Sequence, residues 1–132
     1  MRDEEHQLQC ACVRWFAYQH PELNGLLFAI PNGSYRNKAT AGKLKAEGVV
    51  AGVADLILLV PQHIETLSTP MNGVWYHDTH GLCIEMKTEK GYQSPEQKEW
   101  GEKVRRHGFR YVVCRSLEDF IAVVEDHLSL PF

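Results

Sequence analysis

The chain has 132 residues, of which 44% are hydrophobic and 23% are charged, and its formal net charge is −3. This length suits one domain with a core of its own, so we predict a single domain over residues 1–132. No apolar run approaches the roughly 20 residues that cross a bilayer, and the acidic N-terminus does not resemble a signal peptide. These features argue against a membrane protein, and we expect a cytoplasmic one.

The first third of the chain predicts a helix, a strand and a second helix. Residues 4–19 carry apolar side chains at helical spacing, and Pro21 ends this helix because the residue before a proline avoids the helical conformation. Leu26–Ile30 is a short apolar run typical of a strand. The next helix is predicted over residues 38–47, with Gly48 in the usual position after a helix C-terminus. The apolar stripe of the first helix comprises Leu8, Ala11, Cys12, Trp15 and Phe16.

The middle of the chain predicts two apolar strands separated by a polar connection. Val53–Val60 is the most strand-like run in the sequence, and Asp55 is its only charged residue. Residues 61–80 are polar and contain Thr, Pro and Gly, so we interpret them as a long hairpin connection. Leu82–Lys87 is then predicted as the second of the two strands.

The last third predicts a helix, a strand and a closing helix. Ser94 and Gln97 have the spacing of a capping box at the start of the first helix, and Gly108 ends it. Arg110–Cys114 is an apolar strand, and Leu117–Leu128 has helical periodicity. The order of elements along the chain predicts an α/β or α+β fold in which helices flank a mixed β-sheet.

The four cysteines lie at positions 10, 12, 83 and 114 and form no CxxC pair. Cys83 and Cys114 fall in apolar strand patterns, so we predict small buried hydrophobic side chains and no disulfide. His77 and His80 have a spacing that could bind zinc together with Cys83, and we keep a zinc protein as a weaker alternative.

Basic residues are concentrated in two segments of this acidic chain. Residues 33–46 contain four Lys or Arg and no acid, and residues 87–115 contain eight Lys or Arg against four acids. A solvated charged face explains such segments in many proteins. Two of them in an acidic chain also suit a protein that contacts phosphate groups locally.

Asp55, Glu85 and Lys87 are charged residues in strands that are otherwise apolar. Alternation along a strand places Glu85 and Lys87 on one face, and Asp55 would meet Glu85 at the sheet edge if the two strands pair. Two carboxylates held close together need a cation, and oxygen ligands favour Mg²⁺ or Mn²⁺. Lys87 could then orient a water or offset charge on a phosphate, and the structural alternative for Glu85 and Lys87 is a salt bridge.

An Asp that opens one strand, followed by Glu-x-Lys on the next, resembles the catalytic motif of the PD-(D/E)xK nuclease superfamily, here "VAD" and "EMK". Within that superfamily, "EGVVAGVADLILLV", "GLCIEMKTEKGYQSPEQKEW" and "YVVCRS" closely resemble the virus-type replication-repair nuclease (VRR-NUC) domain. The resemblance extends from Glu5 to about Leu128. Ala54 stands where the superfamily name has a proline, a position that carries no chemistry.

This resemblance implies a restriction-endonuclease-like α/β core, with a mixed central sheet between helices. It implies Mg²⁺ or Mn²⁺ held by Asp55, Glu85 and the backbone carbonyl of Met86, and it places a glutamate of the first helix in the site. Glu4 and Glu5 both flank the apolar stripe of that helix. We favour Glu5 as ligand and catalytic residue because it lies nearer the centre of the stripe.

The resemblance also implies a metal-dependent endodeoxyribonuclease that hydrolyses phosphodiester bonds. Small stand-alone proteins that it resembles act as homodimers on branched DNA, notably four-way (Holliday) junctions, and the domain occurs in phage and bacterial proteins and in DNA repair. We therefore expect it in the cytoplasm of a bacterium or a phage-infected cell. The alternatives are a nuclease for flaps, nicks or duplex DNA, and a non-catalytic DNA-binding module.

Gln97 is open to two interpretations, since its amide could cap the helix or reach the site as a catalytic residue. We expect the DNA contacts to be mainly phosphate contacts, made by backbone amides and by Arg36, Lys38, Lys43, Lys45, Lys90 and Lys98.

Overall fold

The computed structural model describes residues 2–31, 38–68 and 73–129. Its elements are α1 (Arg2–Gln19), β1 (Leu27–Ala29), α2 (Lys38–Ala46), β2 (Leu56–Leu58), β3 (Gln62–Ser68), β4 (Gly73–Thr79), β5 (Leu82–Met86), α3 (Pro95–Arg106), β6 (Arg110–Cys114) and α4 (Leu117–Leu128). A short 3₁₀ helix at Pro21–Leu23 follows α1. None of the helices in these described ranges is both long and apolar enough to cross a membrane.

Four strands form a mixed sheet in the order β1-β2-β5-β6. β1 pairs with β2, and β2 with β5, in antiparallel fashion, whereas β5 and β6 run parallel because α3 connects them. Helices lie on both sides of this sheet, so the predicted α/β architecture, a mixed central sheet flanked by helices, is confirmed.

The two faces of the sheet have different partners. Alternate residues of β5, namely Leu82, Ile84 and Met86, join the main core with apolar side chains of α1 and α4. The opposite face carries Cys83 and packs against α3 through Tyr111, Trp100 and Val104. Glu85 shares the face of Cys83, and this alternation is what turns the carboxyl away from the main core. The predicted buried, disulfide-free state of Cys83 and Cys114 is confirmed.

One prediction in the middle of the chain was wrong and a second was incomplete, since residues 61–80 do connect the antiparallel strands β2 and β5. The strand predicted at Val53–Val60 is only Leu56–Leu58, so Asp55 directly precedes the strand instead of lying within it. The apolar residues before and after this strand belong to the loop that leads to Asp55 and to the turn into β3. Residues 61–80 are not a plain connection, because β3 and β4 form a separate two-stranded sheet.

Gly52 fixes the loop that leads to Asp55. Its φ is +85°, and a Cβ at this position would lie 2.5 Å from the carbonyl oxygen of Glu96, in the first turn of α3. Only a residue without a side chain allows this approach. The loop before Asp55 is therefore pressed against the end of α3 that borders the site.

Candidate active site

Asp55 is anchored by its main chain between two strands. Its N–H donates to the carbonyl oxygen of Ile84 at 3.1 Å, and its carbonyl oxygen accepts from the N–H of Ile30 at 2.9 Å. The carboxylate reaches β5, where Oδ2 accepts the backbone N–H of Met86 at 2.7 Å. Because β2 and β5 are antiparallel, the start of β2 meets the end of β5, which brings Asp55 beside Glu85. This meeting point lies between the two inner strands, and not at the sheet edge that we expected.

Glu85 is a buried carboxyl group, 1% exposed, whose two oxygens are both held by side chains. Nε2 of Gln97 donates to Oε2 at 3.1 Å. The hydroxyl of Tyr111 lies 3.4 Å from Oε1 and donates to it. The carboxyl group is thus oriented from α3 on one side and from β6 on the other.

The pKa of Glu85 is raised from 4.5 to about 9, chiefly because the group is buried. The hydrogen bond that protonated Glu85 donates to the Asp55 carboxylate and the negative charge of that carboxylate also raise it, whereas the ammonium of Lys87 lowers it. Glu85 therefore retains its proton at neutral pH in the metal-free protein. A cation bound between the two acids would offset their negative charge, so Glu85 would no longer need to keep its proton.

Of the two glutamates considered in α1, Glu5 is the one near the site. Glu4 is exposed, whereas Glu5 is partly buried. Burial raises the pKa of Glu5, Lys87 lowers it, and the negative charge of Asp55 raises it again. These mutual effects place Glu5 within electrostatic reach of Asp55 and Lys87, and its role as a metal ligand stays a prediction.

Lys87 follows β5 and is partly buried. Its backbone N–H donates to the carbonyl oxygen of Cys114 at 3.0 Å, which continues the pairing between β5 and β6 beyond Met86. The same alternation that turns Glu85 toward α3 gives Lys87 the same orientation. Its ammonium acts electrostatically on Glu5 and Glu85, so the lysine is placed beside the acids as we expected.

Gln97 does both of the jobs that the sequence left open. Its Oε1 accepts the backbone N–H of Ser94 at 2.8 Å, and its own N–H donates to Oγ of Ser94 at 3.1 Å, which completes the capping box. The other end of the same amide, Nε2, holds Glu85. One side chain thus links the start of α3 to the acid pair, while a catalytic role for it stays a prediction.

Tyr111 is a site residue that sequence reasoning missed. It is 4% exposed, and its hydroxyl accepts Nε2 of Gln93 at 2.9 Å while facing Glu85. Its ring lies against Gly101, where a Cβ would come within 2.7 Å of it, and the guanidinium of Arg105 lies 5.3 Å from the ring centroid. A buried tyrosine needs a hydrogen-bond partner for its hydroxyl, and only the fold shows that this partner is Glu85.

The donor set suits a hard divalent cation. Throughout residues 2–31, 38–68 and 73–129, no three side chains of His, Cys, Asp or Glu are grouped closely enough to hold a metal ion by themselves. Asp55 and Glu85 nonetheless lie within hydrogen-bonding distance of each other, and the Met86 carbonyl is the predicted third ligand. Mg²⁺ is commonly bound by one or two carboxylates and keeps several waters, so two acids and a carbonyl fit it.

The predicted DNA-contacting residues are described only in part. Lys43 and Lys45, near the end of α2, are exposed, and so are Lys90 and Lys98 around the start of α3. Arg36 lies outside the described residues, and so does the side chain of Lys38. The four lysines that are described are free to face a large partner, and their DNA contacts stay a prediction.

The zinc alternative finds no support in the part of the chain that is described. The ring of His80 packs on Phe109 with ring centroids 5.4 Å apart, and Cys83 is buried on the sheet face that packs against α3. No group of three metal-binding side chains that includes them is found there. The side chain of His77 lies outside the described residues.

Comparison with known proteins agrees with this geometry. The model of the VRR-NUC domain family matches residues 2–118. A solved structure of a VRR-NUC domain protein matches with a TM-score of 0.73 and 26% identity, over 96% of this chain and 88% of the other. Comparison with curated proteins found no match. Since the family model spans nearly the whole chain, the protein belongs to the VRR-NUC family and is a nuclease of the PD-(D/E)xK type.

Proposed function

We propose that this nuclease is a Mg²⁺- or Mn²⁺-dependent endonuclease that hydrolyses phosphodiester bonds within DNA. The observation that carries the proposal is the buried Glu85, which is pressed against Asp55 and has Lys87 next to it. Burying two acids side by side lowers the stability of the folded protein unless a partner compensates for their charge. A divalent cation, when bound, supplies positive charge to the phosphate and makes water a better nucleophile.

The residues of the chain supply orientation and charge. Gln97 and Tyr111 hold Glu85, and the N–H of Met86 holds Asp55, so neither acid needs to reorganise when the substrate arrives. The ammonium of Lys87 orients the attacking water and offsets the charge that develops on the phosphate. One P–O bond forms to the water oxygen and the P–O bond to the leaving oxygen breaks.

Cleavage assays on three variants test this proposal. Asp55→Asn, Glu85→Gln and Lys87→Ala should each lower the cleavage rate by at least about a hundredfold, because each removes a group that acts on the reacting phosphate. Lys103→Ala, an exposed lysine of α3, serves as the control and should cleave normally. Full activity of a correctly folded Lys87→Ala protein would refute the mechanism.

Metal dependence is measured separately from cleavage. Isothermal titration with Mn²⁺ should show binding to the wild type and none to Asp55→Asn, since this variant loses one of the two acids. Cleavage should stop in EDTA and return with Mg²⁺ or Mn²⁺. If the wild-type protein binds DNA but takes up no Mn²⁺, it is a DNA-binding module without catalysis.

For the substrate, we propose branched DNA, in particular four-way junctions, bound by a homodimer. Two active sites related by a two-fold axis would match the symmetry of such a junction. A panel of labelled junctions, flaps, nicked and intact duplexes tests the preference, and sedimentation tests the dimer. Preferential cleavage of flaps, nicks or plain duplex would replace the junction as the substrate.

A further inference from the structure

Tyr92 lies in the loop between β5 and α3, and its side chain is 89% exposed. We propose that Tyr92 stacks on a base that is left unstacked at a branch point next to the cleavage site, so that the nuclease prefers DNA whose bases are already unstacked there. The inference rests on the proposed function, since it requires DNA to lie across Asp55, Glu85 and Lys87. It adds a residue that selects the substrate.

The loop returns to the lysine of the site. A Cβ at Gly91 would lie 3.5 Å from Cδ of Lys87, which puts the backbone of Gly91 against the lysine stem. Tyr92 is the next residue. A phosphate held by Lys87 would therefore lie near the backbone of this loop, and we place the base of the neighbouring nucleotide against the ring of Tyr92.

The loop is also braced at both ends, which is unusual for a segment that carries so exposed a ring. Nη1 of Arg115 donates to the carbonyl oxygens of Gly91 at 2.7 Å and Thr88 at 2.9 Å, and lies 3.5 Å from that of Glu89. On the other side of the ring, Gln93 donates to the hydroxyl of Tyr111 at 2.9 Å. These contacts fix the backbone before DNA binds, so little ordering remains to be done on binding.

The chemistry of the loop favours a base over a phosphate as the partner of Tyr92. Glu89 offsets Lys90 within the loop, so the loop itself carries little net charge. Of the cations that we expect to contact phosphates, Lys87 and Lys98 lie on either side of the loop in the chain, and Lys90 lies within it next to Glu89. A neutral aromatic ring between two phosphate contacts is the arrangement that stacks on bases in proteins that bind single strands.

The test measures DNA binding in EDTA, where no cleavage occurs. Two labelled DNAs of equal length are compared by fluorescence anisotropy: a fully paired duplex, and one with unpaired bases at a branch point that include 2-aminopurine. Tyr92→Ala should weaken binding to the branched DNA by about tenfold, the loss of one base–aromatic stack, and leave duplex binding unchanged. Tyr92→Phe should bind both DNAs as the wild type does and quench 2-aminopurine equally.

Tyr18→Ala is the matched control. Tyr18 is 87% exposed, and it lies near the end of α1, about 20 Å along the helix from Glu5. Its loss should change neither affinity. Equal weakening on both DNAs, no weakening, or a Tyr92→Phe protein as weak as Tyr92→Ala would each overturn the proposal. Because binding is measured without metal, a failure of metal-dependent cleavage leaves this result unaffected.

Discussion

At the scale of single residues, the acid pair dominates the electrostatics of the site. Glu85 keeps a proton at neutral pH first because burial raises its pKa, and second because the Asp55 carboxylate lies against it. Two uncharged side chains, Gln97 and Tyr111, hold the carboxyl without neutralising it. The geometry of the site is therefore set in advance, while its charge is left for a cation to balance.

Stability should depend on pH through Glu85. Its folded pKa of about 9 lies above the ordinary value of 4.5, so between these values the folded protein binds more protons than the unfolded chain. The free energy of unfolding must therefore fall as the pH rises through that window. Urea unfolding in EDTA at about pH 5.5, 7 and 8.5 measures the slope.

Glu85→Gln is the control for this pH dependence, because the amide imitates the protonated acid. Other groups titrate equally in both proteins, so the difference between the two curves isolates Glu85. The variant should gain stability relative to the wild type as the pH rises, and added Mn²⁺ should stabilise the wild type alone. Parallel curves would mean that Glu85 is charged in the folded protein without metal.

Tyr111→Phe tests the residue that the sequence did not reveal. Removing the hydroxyl takes a donor from Oε1 of Glu85 and an acceptor from Gln93, while the buried ring stays in place. We expect Mn²⁺ affinity to fall by about tenfold, as when a group that orients a metal ligand is lost. Unchanged Mn²⁺ affinity in titration, with only a lower melting temperature, would show that Tyr111 serves packing. Tyr18→Phe is the matched control.

At the scale of elements, the contact between the loop before Asp55 and α3 assembles the site. Gly52 meets the backbone of Glu96 too closely for a side chain. Ser94 caps the same turn, and Gln97 extends from it to Glu85. The approach loop, the helix start and the acid pair thus form one packed unit.

A comparison of Gly52→Ala with Gly48→Ala separates the cost of backbone strain from the cost of breaking the contact between the loop before Asp55 and α3. Both glycines have positive φ, +85° and +104°, but nothing lies within 4 Å of a Cβ at Gly48. Gly48→Ala should cost about 1–2 kcal/mol of unfolding free energy through strain alone. Gly52→Ala should cost an additional ~1–3 kcal/mol because the loop and α3 must separate. If both variants lose the same unfolding free energy in urea, separating the loop from α3 costs no stability.

The sequence predicted the elements that carry their own signals. The capping box at Ser94 and Gln97 and the glycine stop at Gly108 both lie at the boundaries that α3 has in the structure. β2 was overestimated, because apolar residues before and after a strand look like the strand itself. The hairpin was missed as a unit, because the Thr, Pro and Gly residues within 61–80 were interpreted as a connection.

Asp55, Glu85 and Lys87 were predictable as site residues, because charged side chains stand out in apolar strands. Tyr111 was not predictable, because tyrosine is an ordinary strand residue like its neighbours. Only the parallel register of β5 and β6 brings it to Glu85. The preference for Glu5 over Glu4 came from the helical wheel, and the rotation of α1 about its axis in the structure places Glu5 near the site. Adjacent helix positions differ by 100° in direction, and packing alone fixes which one faces the site.

At the scale of the whole molecule, the hairpin β3–β4 is an appendage of the main sheet. Leu58 and Leu82 are direct neighbours in the pairing of β2 with β5, so the chain leaves the sheet and returns to the same place. Gln62 at the base of the hairpin is buried and donates to the carbonyl oxygen of Asp126 at 3.2 Å. The base is therefore tied to α4, whereas the strands pair with each other.

Replacing residues 64–77 by a short turn should leave the four-stranded sheet folded. The replacement keeps the base, where Gln62 bonds to α4 and His63 pairs with Asp78 at 2.8 Å. Circular dichroism and Mn²⁺ binding should be preserved, with a small change in unfolding free energy. Gln62→Ala, which leaves a carbonyl at α4 without its donor, should cost more, about 1–2 kcal/mol. Loss of cooperative unfolding in the shortened protein would show that the hairpin belongs to the core.

The two-ended amide of Gln97 has a consequence for the lifetime of the assembled site. Helix ends open and close locally at a free energy far below that of global unfolding. When the first turn of α3 opens, Ser94 loses its partner and Glu85 loses one of the two side chains that hold it in the same event. The acid pair is therefore held from both sides only while this helical turn stays closed. Fraying of this helix end therefore affects the fraction of molecules in which the site is fully assembled.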